Sequence, residues 1–210
     1  FHTKTVLLIN SLLVVSGFLI FLSLEYNNVL KGFTLKTKLL AAFFQNITTR
    51  TAGFNTIDIS TISNATVLFI IIYMFIGASP GSTGGGIKTT TFFVLILNIL
   101  ATLKGKNTIN LFKRTVSDEV IKKSILIFFS SCILIFLFTF SLLLTDDFNI
   151  RETLFEVVSA FGTVGLSLGI TPNLSDLSKI LLSIVMFIGR IGIPTFVLAL
   201  SIYSHYTHSL

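Results

Sequence analysis

The sequence has little charge: only 11% of its 210 residues are Asp, Glu, Lys or Arg, whereas 52% are hydrophobic. One soluble core does not need so much apolar material, so the composition excludes an ordinary soluble domain and indicates a protein of the bilayer. Trp is absent, so no Trp belt marks a membrane interface. The single cysteine, Cys132, cannot form an internal disulfide and says nothing about the redox compartment.

Residues with catalytic or metal-binding chemistry are also scarce. The three histidines, His2, His205 and His208, lie near the termini and are not spaced as a metal site with acidic partners. No Ser–His–Asp or Cys–His set is placed for catalysis. We therefore expect a protein that is not an enzyme and that holds no organic cofactor.

Long apolar runs are what the sequence does contain. Residues 5–24, 123–144 and 176–204 each reach the roughly 20 residues that cross a bilayer. A fourth span, 64–103, is interrupted by "GASPGSTGGGIK" at 77–88. The first run is too long for a signal peptide and lacks a convincing cleavage site, so we interpret it as a retained span. Because the chain begins with Phe1 and not Met, we expect a fragment of a longer protein.

Most of the positive charge lies in one connection. The net charge is +6, and residues 104–122 with Lys123 contain six basic residues between the second and third spans. The positive-inside rule then places this linker, and both termini, in the cytoplasm. Nucleic-acid binding is the competing interpretation of a basic cluster, but basic residues beside membrane spans are the ordinary case.

An internal duplication organises the chain. Thr51 and Thr163 stand 112 positions apart (163 minus 51), and "MFIG" recurs with the same offset at 74–77 and 186–189. The register holds without gaps over this segment, which is typical of a repeat. We predict an all-α membrane protein with two tandem repeats, residues 1–103 and 123–210, each made of a span, a re-entrant pore loop and a span.

Two short segments, 38–49 and 150–162, are too short to cross a membrane and are predicted to be re-entrant pore helices. Asn149 is the expected N-cap of the second. Non-helical backbone at membrane depth persists only where it is buried in protein or lines a hydrated path, and glycine allows its carbonyls to face one axis. Carbonyl rings select potassium in channels that carry Thr-Val-Gly-Tyr-Gly loops. The predicted filter residues are Thr51, Ala52, Gly53, Phe54 and Asn55 in the first repeat, and Thr163, Val164, Gly165, Leu166 and Ser167 in the second.

Four motifs carry a family resemblance: "TTRTAGFNT" at 48–56, "MFIGASPGSTGGGIKTT" at 74–90, "SAFGTVGLSLGITPNLS" at 159–175 and "MFIGRIG" at 186–192. With them the chain resembles the C-terminal half of the Trk/Ktr/HKT superfamily of potassium transport proteins, most closely the KtrB-type membrane subunit. Members have four such repeats around one pore, of which this chain would supply the third and fourth. The resemblance implies potassium transport across a cell membrane by a multi-pass protein of bacterial origin.

The resemblance also implies particular sites and partners. Arg190 would be the family's pore-facing arginine, although Ile193 stands before Pro194 where family members often have proline directly. Potassium would be the only metal ion, and the expected partners are the N-terminal half of the same polypeptide, a second copy, and a cytoplasmic nucleotide-binding subunit at the basic linker or the polar C-terminus. The gate would comprise Arg190 and the intramembrane loop residues Gly77, Ala78, Ser79, Pro80, Gly81, Ser82, Thr83, Gly84, Gly85, Gly86 and Lys88.

Other interpretations stay open. The loop is not a Walker motif, because Ile87 separates Lys88 from the last glycine, and a plain linker would expose polar backbone in an apolar span. Arg190 is either an ion barrier or a structural cation, and Arg50 either braces a pore helix through its carbonyls or lies at the pore mouth. Of the acidic residues expected on the outer side, Glu156 is the one favoured for a cation-attracting vestibule. A non-conducting assembly subunit and a sodium-coupled alternating-access transporter are the alternative functions, and sodium dependence is undecided.

Overall fold

The protein is built from helices. The structure, a computed structural model, describes residues 2–106, 108–111, 114–193 and 195–196. Among the described residues, every regular element except one antiparallel pair of two-residue strands is helical, so the predicted all-α class is confirmed. The elements are α1 (His2–Glu25), α2 (Leu35–Thr48), α3 (Asn64–Phe75), α4 (Thr89–Leu103), β1 (Asn110–Leu111), β2 (Arg114–Thr115), α5 (Asp118–Thr145), α6 (Ile150–Phe161) and α7 (Asp176–Ile191).

Two helices have the length and composition of membrane spans. They cover Thr3–Glu25, with 23 residues, and Asp118–Thr145, with 28 residues. About 20 apolar residues suffice to cross the hydrocarbon core, so each can span it. Their outer faces are apolar as well: the side chains of Leu7 and Phe136 are 63% and 67% exposed. Such surfaces suit contact with lipid and not with water.

The interrupted span forms two helices joined by a loop whose two ends are hydrogen-bonded to each other. Helix α3 ends at Phe75 and α4 begins at Thr89. The amide of Gly77 donates to the carbonyl of Ile87 at 2.8 Å, and the amide of Ile87 donates to the carbonyl of Phe75 at 3.2 Å. These bonds hold the two ends of the loop together, so that the intervening glycine-rich residues project as one unit.

Two helix starts differ from the sequence boundaries. Helix α2 begins at Leu35 and not at 38, because the hydroxyl of Thr34 caps it by accepting from the amide of Thr37 at 3.3 Å. Helix α5 begins at Asp118, inside the segment 104–122 assigned to the linker. Its first turn carries Asp118 and Glu119, whose negative charges favour a helix N-terminus.

The last helix is interrupted within the span predicted at 176–204. Helix α7 stops at Ile191, and Gly192 follows with a φ of +90°. Ile193, Thr195 and Phe196 are helical again, and the amide of Phe196 donates to the carbonyl of Gly192 at 3.1 Å. Arg190 therefore lies in the last turn of α7 and not at the middle of a continuous span. Pro194 and residues 197–210, which include the polar C-terminus, lie outside the described residues.

The two halves repeat the same order of elements. Each contains a long helix, a short helix, a Thr-x-Gly stretch, a single 3₁₀ turn and another helix. The turns are Ile59–Thr61 and Thr171–Asn173, and the caps of the following helices are Ser63 and Ser175, all at the 112-residue offset found in the sequence. The duplication thus extends to individual turns and caps.

In each half a carboxylate accepts hydrogen bonds from the start of a helix. Glu25, which is fully buried, accepts hydrogen bonds from the amide of Ser63 and the hydroxyl of Thr66. In the second half Asp146 accepts from the amide and hydroxyl of Ser175. Hydrogen bonds from the Ser178 hydroxyl and from Ser175 hold the pKa of Asp146 below its ordinary value. In both halves a carboxylate thus fixes the start of the helix that follows the Thr-x-Gly stretch.

Helix α6 lies at the centre of the packing. It contacts α3, α5 and α7. Its side chains Phe155 and Val157 are fully buried, as are Met74 of α3 and Val185 of α7. Asn149 caps this helix, as predicted, by accepting from the amide of Arg151 at 3.1 Å. A short helix enclosed in this way holds the residues that follow its C-terminus in a fixed place.

Candidate functional site

The first Thr-x-Gly stretch turns sharply away from the end of α2. The amide of Ala52 donates to the carbonyl of Thr48 at 3.2 Å. The hydroxyl of Thr48 accepts from the amide of Phe54 at 2.9 Å and donates to its carbonyl at 2.7 Å. Both backbone groups of Phe54 are therefore tied to the last residue of the short helix, which fixes the direction of the stretch.

The second stretch leaves α6 in a similar way. The amide of Thr163 donates to the carbonyl of Ala160 at 3.0 Å, and the amide of Val164 donates to the carbonyl of Ser159 at 2.9 Å. The side chains of Val164 and Leu166 are 3% and 1% exposed, so alternate residues face the protein interior. The stretch is therefore anchored both by backbone bonds and by packing.

Both stretches contain strained backbone at equivalent positions. Gly53 and Gly165 have φ values of +74° and +88°, and Thr51 and Thr163 have φ values of +75° and +51°. Among the described non-glycine residues these two threonines are the ones with positive φ. A β-branched residue in this region is an outlier that costs about 1–3 kcal/mol. Strain of this kind, repeated at the same place in both halves, is typical of functional backbone.

The two stretches lie side by side. A Cβ atom placed on Gly53 would approach the carbonyl oxygen of Val164 to 2.5 Å, and one on Gly165 would lie 3.6 Å from the Cα of Gly53. The backbones therefore meet at their glycines, and a side chain at Gly53 would need one stretch to move. Residues that are 112 positions apart in the sequence thus form one site.

The intramembrane loop lies against the start of both stretches. The amide of Gly85 donates to the hydroxyl of Thr163 at 2.8 Å, and the amide of Gly86 donates to the carbonyl of Phe161 at 3.1 Å. A Cβ on Gly84 would lie 2.8 Å from the methyl group of Thr51. The loop therefore contacts the threonine side chain of each stretch.

Glycine is required where the loop meets α7, because the backbones of the loop, α6 and α7 approach one another closely there. A Cβ on Gly85 would lie 2.8 Å from the carbonyl oxygen of Phe161 and 3.0 Å from that of Gly189. A Cβ on Gly189 would lie only 2.1 Å from the same oxygen of Phe161. The loop, the end of α6 and the end of α7 can meet at this point only without side chains.

A chain of hydrogen bonds joins the loop to the end of α2. The guanidinium of Arg50 donates to the side-chain oxygen of Asn10 at 2.5 Å, and the amide nitrogen of Asn10 donates to the hydroxyl of Ser79 at 2.8 Å. Arg50 thus bonds to Asn10 of α1, and not to the helix carbonyls that were one of the two alternatives predicted from the sequence. The residue directly before the first stretch is connected in this way to the loop.

Two cations lie near the loop. The ammonium of Lys88 donates to the carbonyl of Gly84 at 2.6 Å, within the loop itself. Arg190, beside the buried Gly189, is exposed, and its positive charge repels that of Lys88. The inner side of the loop therefore carries positive charge close to α7.

The structure brings most of the predicted residues together, but these residues differ in how far they are exposed. In the first stretch Ala52, Phe54 and Asn55 are exposed, with Phe54 at 70%. Within the loop, Gly84 and Gly85 are buried against the stretches. Gly81, Ser82 and Thr83 are exposed at its tip. Gly77 is buried, and Ala78, Ser79, Pro80 and Gly86 are half-buried.

Sequence reasoning missed two contacts and misplaced one residue. Nothing in the sequence connects Asn10 with Arg50 and Ser79, because its partners are 40 and 69 positions away. Glu156 was expected in an open outer vestibule, but its side chain is 5% exposed and accepts a hydrogen bond from the hydroxyl of Ser167. A carboxylate within an apolar re-entrant helix was the signal that could have indicated a buried partner.

Sequence comparison places the chain beside potassium uptake proteins. A family model described as cation transport protein, TrkH, matches residues 1–207. The Ktr system potassium uptake protein B of Bacillus subtilis is 40% identical over 198 residues, which are 93% of this chain and 44% of that protein. The potassium/sodium uptake protein NtpJ of Enterococcus hirae is 38% identical over 205 residues, 95% of this chain and 45% of that protein. The chain thus spans somewhat less than half the length of these relatives.

A solved structure has the same fold. The crystal structure of the potassium transporter TrkH from Vibrio parahaemolyticus superposes with a TM-score of 0.81 and 22% sequence identity. The match covers 91% of this chain and 43% of that one. At this level of identity the likeness shows the fold alone.

Proposed function

Because the chain belongs to the TrkH family of cation transport proteins, we propose that it forms part of a pathway by which potassium ions cross the cell membrane. Its two Thr-x-Gly stretches, 51–55 and 163–167, are two walls of a selectivity filter. Backbone carbonyls there replace the hydration shell of the ion, and the membrane potential sets the direction of movement. The relatives that bear potassium in their names support the choice of ion.

One observation carries this proposal. Both stretches follow a short buried helix, both have threonine and glycine at positive φ, and their glycine backbones are in contact. Extended backbone of this kind is tolerated at membrane depth where it lines a hydrated cavity. A purely structural turn would not need the same strained threonine in both halves.

The intramembrane loop is proposed to be the gate. Its buried part touches Thr51 and Thr163, at the end of each stretch that adjoins its short helix. Lys88 and Arg190 add positive charge at this position, which opposes a cation in the closed state. Ions pass when the loop moves away from the threonines.

The complete pathway needs further protein. Two repeats cannot enclose a fourfold pore, so we propose that the other walls come from an N-terminal half of the same polypeptide. The relatives are more than twice as long as the region that matches this chain, which supports this. We propose a homodimer of the complete protein with a cytoplasmic nucleotide-binding subunit at the basic linker between α4 and α5. The name of NtpJ mentions sodium as well, so sodium is the ion to test beside potassium.

Gly165→Ser tests the filter. The φ of +88° at Gly165 strains any side chain, by about 1–2 kcal/mol, so the backbone relaxes and its carbonyls turn. In potassium-starved cells that lack their own uptake systems, we expect the gene that encodes this chain to restore growth. The variant should lose about tenfold of its preference for potassium over sodium.

Gly32→Ser is the matched control. Gly32 also has a positive φ, +91°, but no atom lies within 4 Å of its Cβ position and it is far from the filter in sequence. It should keep the parent preference. A Gly165→Ser variant with unchanged preference would contradict the filter, and a well-inserted parent protein without uptake would favour a non-conducting assembly subunit.

A further inference from the structure

A buried carboxylate is hydrogen-bonded to the last residue of the second Thr-x-Gly stretch. Glu156 lies in the middle of α6 with 5% of its surface exposed. The hydroxyl of Ser167, the last residue of the stretch, donates to its Oε1 atom. The chain just beyond the strained glycine is thus hydrogen-bonded to one buried side chain.

Ser167 belongs to one compact turn. The oxygen of Ser167 lies 3.0 Å from the hydroxyl of Thr171 and accepts from the amide of Gly169 at 2.9 Å. Fixing Ser167 therefore also fixes the residues that lead into the 3₁₀ turn Thr171–Asn173. Because α6 is enclosed by α3, α5 and α7, the carboxylate is held on a rigid support.

The first half has no equivalent of this bond. At the 112-residue offset, Phe44 occupies the position of Glu156 and Asn55 that of Ser167. Phe44 is 39% exposed and apolar. The first stretch is held instead by the neutral hydroxyl of Thr48, which binds both backbone groups of Phe54. The carboxylate is therefore particular to the second stretch and is not a part of the duplicated scaffold.

From this geometry we propose that Glu156 is a positioning residue that sets the ion selectivity of the second stretch by holding Ser167. The inference rests on the proposed filter function. A carboxylate offers only acceptors, which suits the hydroxyl donor of Ser167. Glutamine has nearly the same shape but is neutral and turns one acceptor into a donor, so the bond that holds Ser167 is weakened. The end of the stretch then moves, and the carbonyls of residues 163–167 lose their spacing.

The test compares ion preference and uptake rate in cells that express the gene with single substitutions. Glu156→Gln should lower the preference for potassium over sodium by about tenfold, because a charge-assisted hydrogen bond is lost. Maximal potassium uptake should change much less. Glu152→Gln, one turn earlier on α6, makes the same charge change at a half-exposed side chain and should keep the parent preference.

A double-mutant cycle separates positioning from general damage. If Glu156 acts through Ser167, Ser167→Ala alone lowers the preference similarly and the double variant is no worse than either single one. Additive losses, or an unchanged preference in Glu156→Gln, would overturn the inference. If Glu156→Gln does not reach the membrane, Ser167→Ala decides, because an unchanged preference in that variant also overturns it.

The Gly165→Ser variant distinguishes a failure of the proposed role of Glu156 from a failure of the proposed filter. A loss of preference in Gly165→Ser together with normal preference in Glu156→Gln would refute the role of Glu156 and leave the filter intact. An unchanged preference in Gly165→Ser would refute the filter itself, and with it the basis for assigning selectivity to Glu156.

Discussion

Gly85→Ala gives the most direct test of the loop as a gate. The added methyl group would lie 2.8 Å from the carbonyl oxygen of Phe161, 2.8 Å from the methyl group of Thr163 and 3.0 Å from the carbonyl oxygen of Gly189. Ordinary contacts between carbon atoms are about 3.5–4.0 Å. Gly85 itself is not among the glycines with positive φ, so the backbone accepts alanine and only the contacts oppose it.

If the loop is the proposed gate, the added methyl group destabilises only its closed position. Overpacking of this kind costs about 1–3 kcal/mol. The loop can relieve it by moving away from Thr163, which also breaks the hydrogen bond from the amide of Gly85. If about 2 kcal/mol is lost from the closed state and not from the open one, the ratio of open to closed protein rises about thirtyfold.

Ion flux into liposomes that contain the purified complete protein measures this change. We expect potassium flux to rise severalfold or more, with the preference over sodium unchanged, because the filter carbonyls are not altered. Ser82→Thr adds one methyl group at the exposed tip of the same loop and should change flux by less than about twofold. Unchanged or reduced flux in a folded Gly85→Ala protein would refute the gate.

Two further predictions concern the surroundings of the loop. Ser79→Ala removes the acceptor for Asn10, so we expect about fivefold more flux from the loss of one hydrogen bond. Ser82→Ala, whose hydroxyl bonds only within the loop, should change flux less, and equal effects would contradict the link to α1. Arg190→Gln should raise flux if its charge opposes cations beside Lys88; unchanged or lost flux in correctly inserted protein would indicate a structural cation instead.

Local patterns in the sequence account for much of this architecture. Apolar runs locate α1 and α5, because hydropathy depends only on neighbouring residues. The glycines Gly53 and Gly165 indicate positive φ, because glycine adopts it at little cost. The 112-residue offset relates the two halves even where the side chains differ. These features need no knowledge of the folded structure.

The remaining features depend on contacts that a pattern does not contain. The apolar run of α7 continues past Ile191, so hydropathy gives no sign that Gly192 ends the helix. Threonine prefers extended backbone, and only the surroundings of Thr51 and Thr163 hold them at positive φ. The position of Glu156 became clear only when its partner Ser167 was known.

The two halves differ most clearly where the first has the glycine-rich loop and the second has the end of α7. At the 112-residue offset, Ala78 in the loop corresponds to Arg190 in the last turn of α7. One half therefore interrupts its helix at the place where the other keeps a helix and carries a charge. The two solutions meet where Gly85 approaches Gly189.

In the proposed function, two helices that both continued through this position would leave one end of the filter open, because nothing would cross it. The interruption at residues 77–88 supplies a loop that reaches both Thr51 and Thr163. The charge of Arg190 on α7 then lies beside the closed loop, where a cation would otherwise be attracted to the exposed carbonyls. The proposed gate thus depends on asymmetry between the repeats, whereas the proposed filter depends on their symmetry.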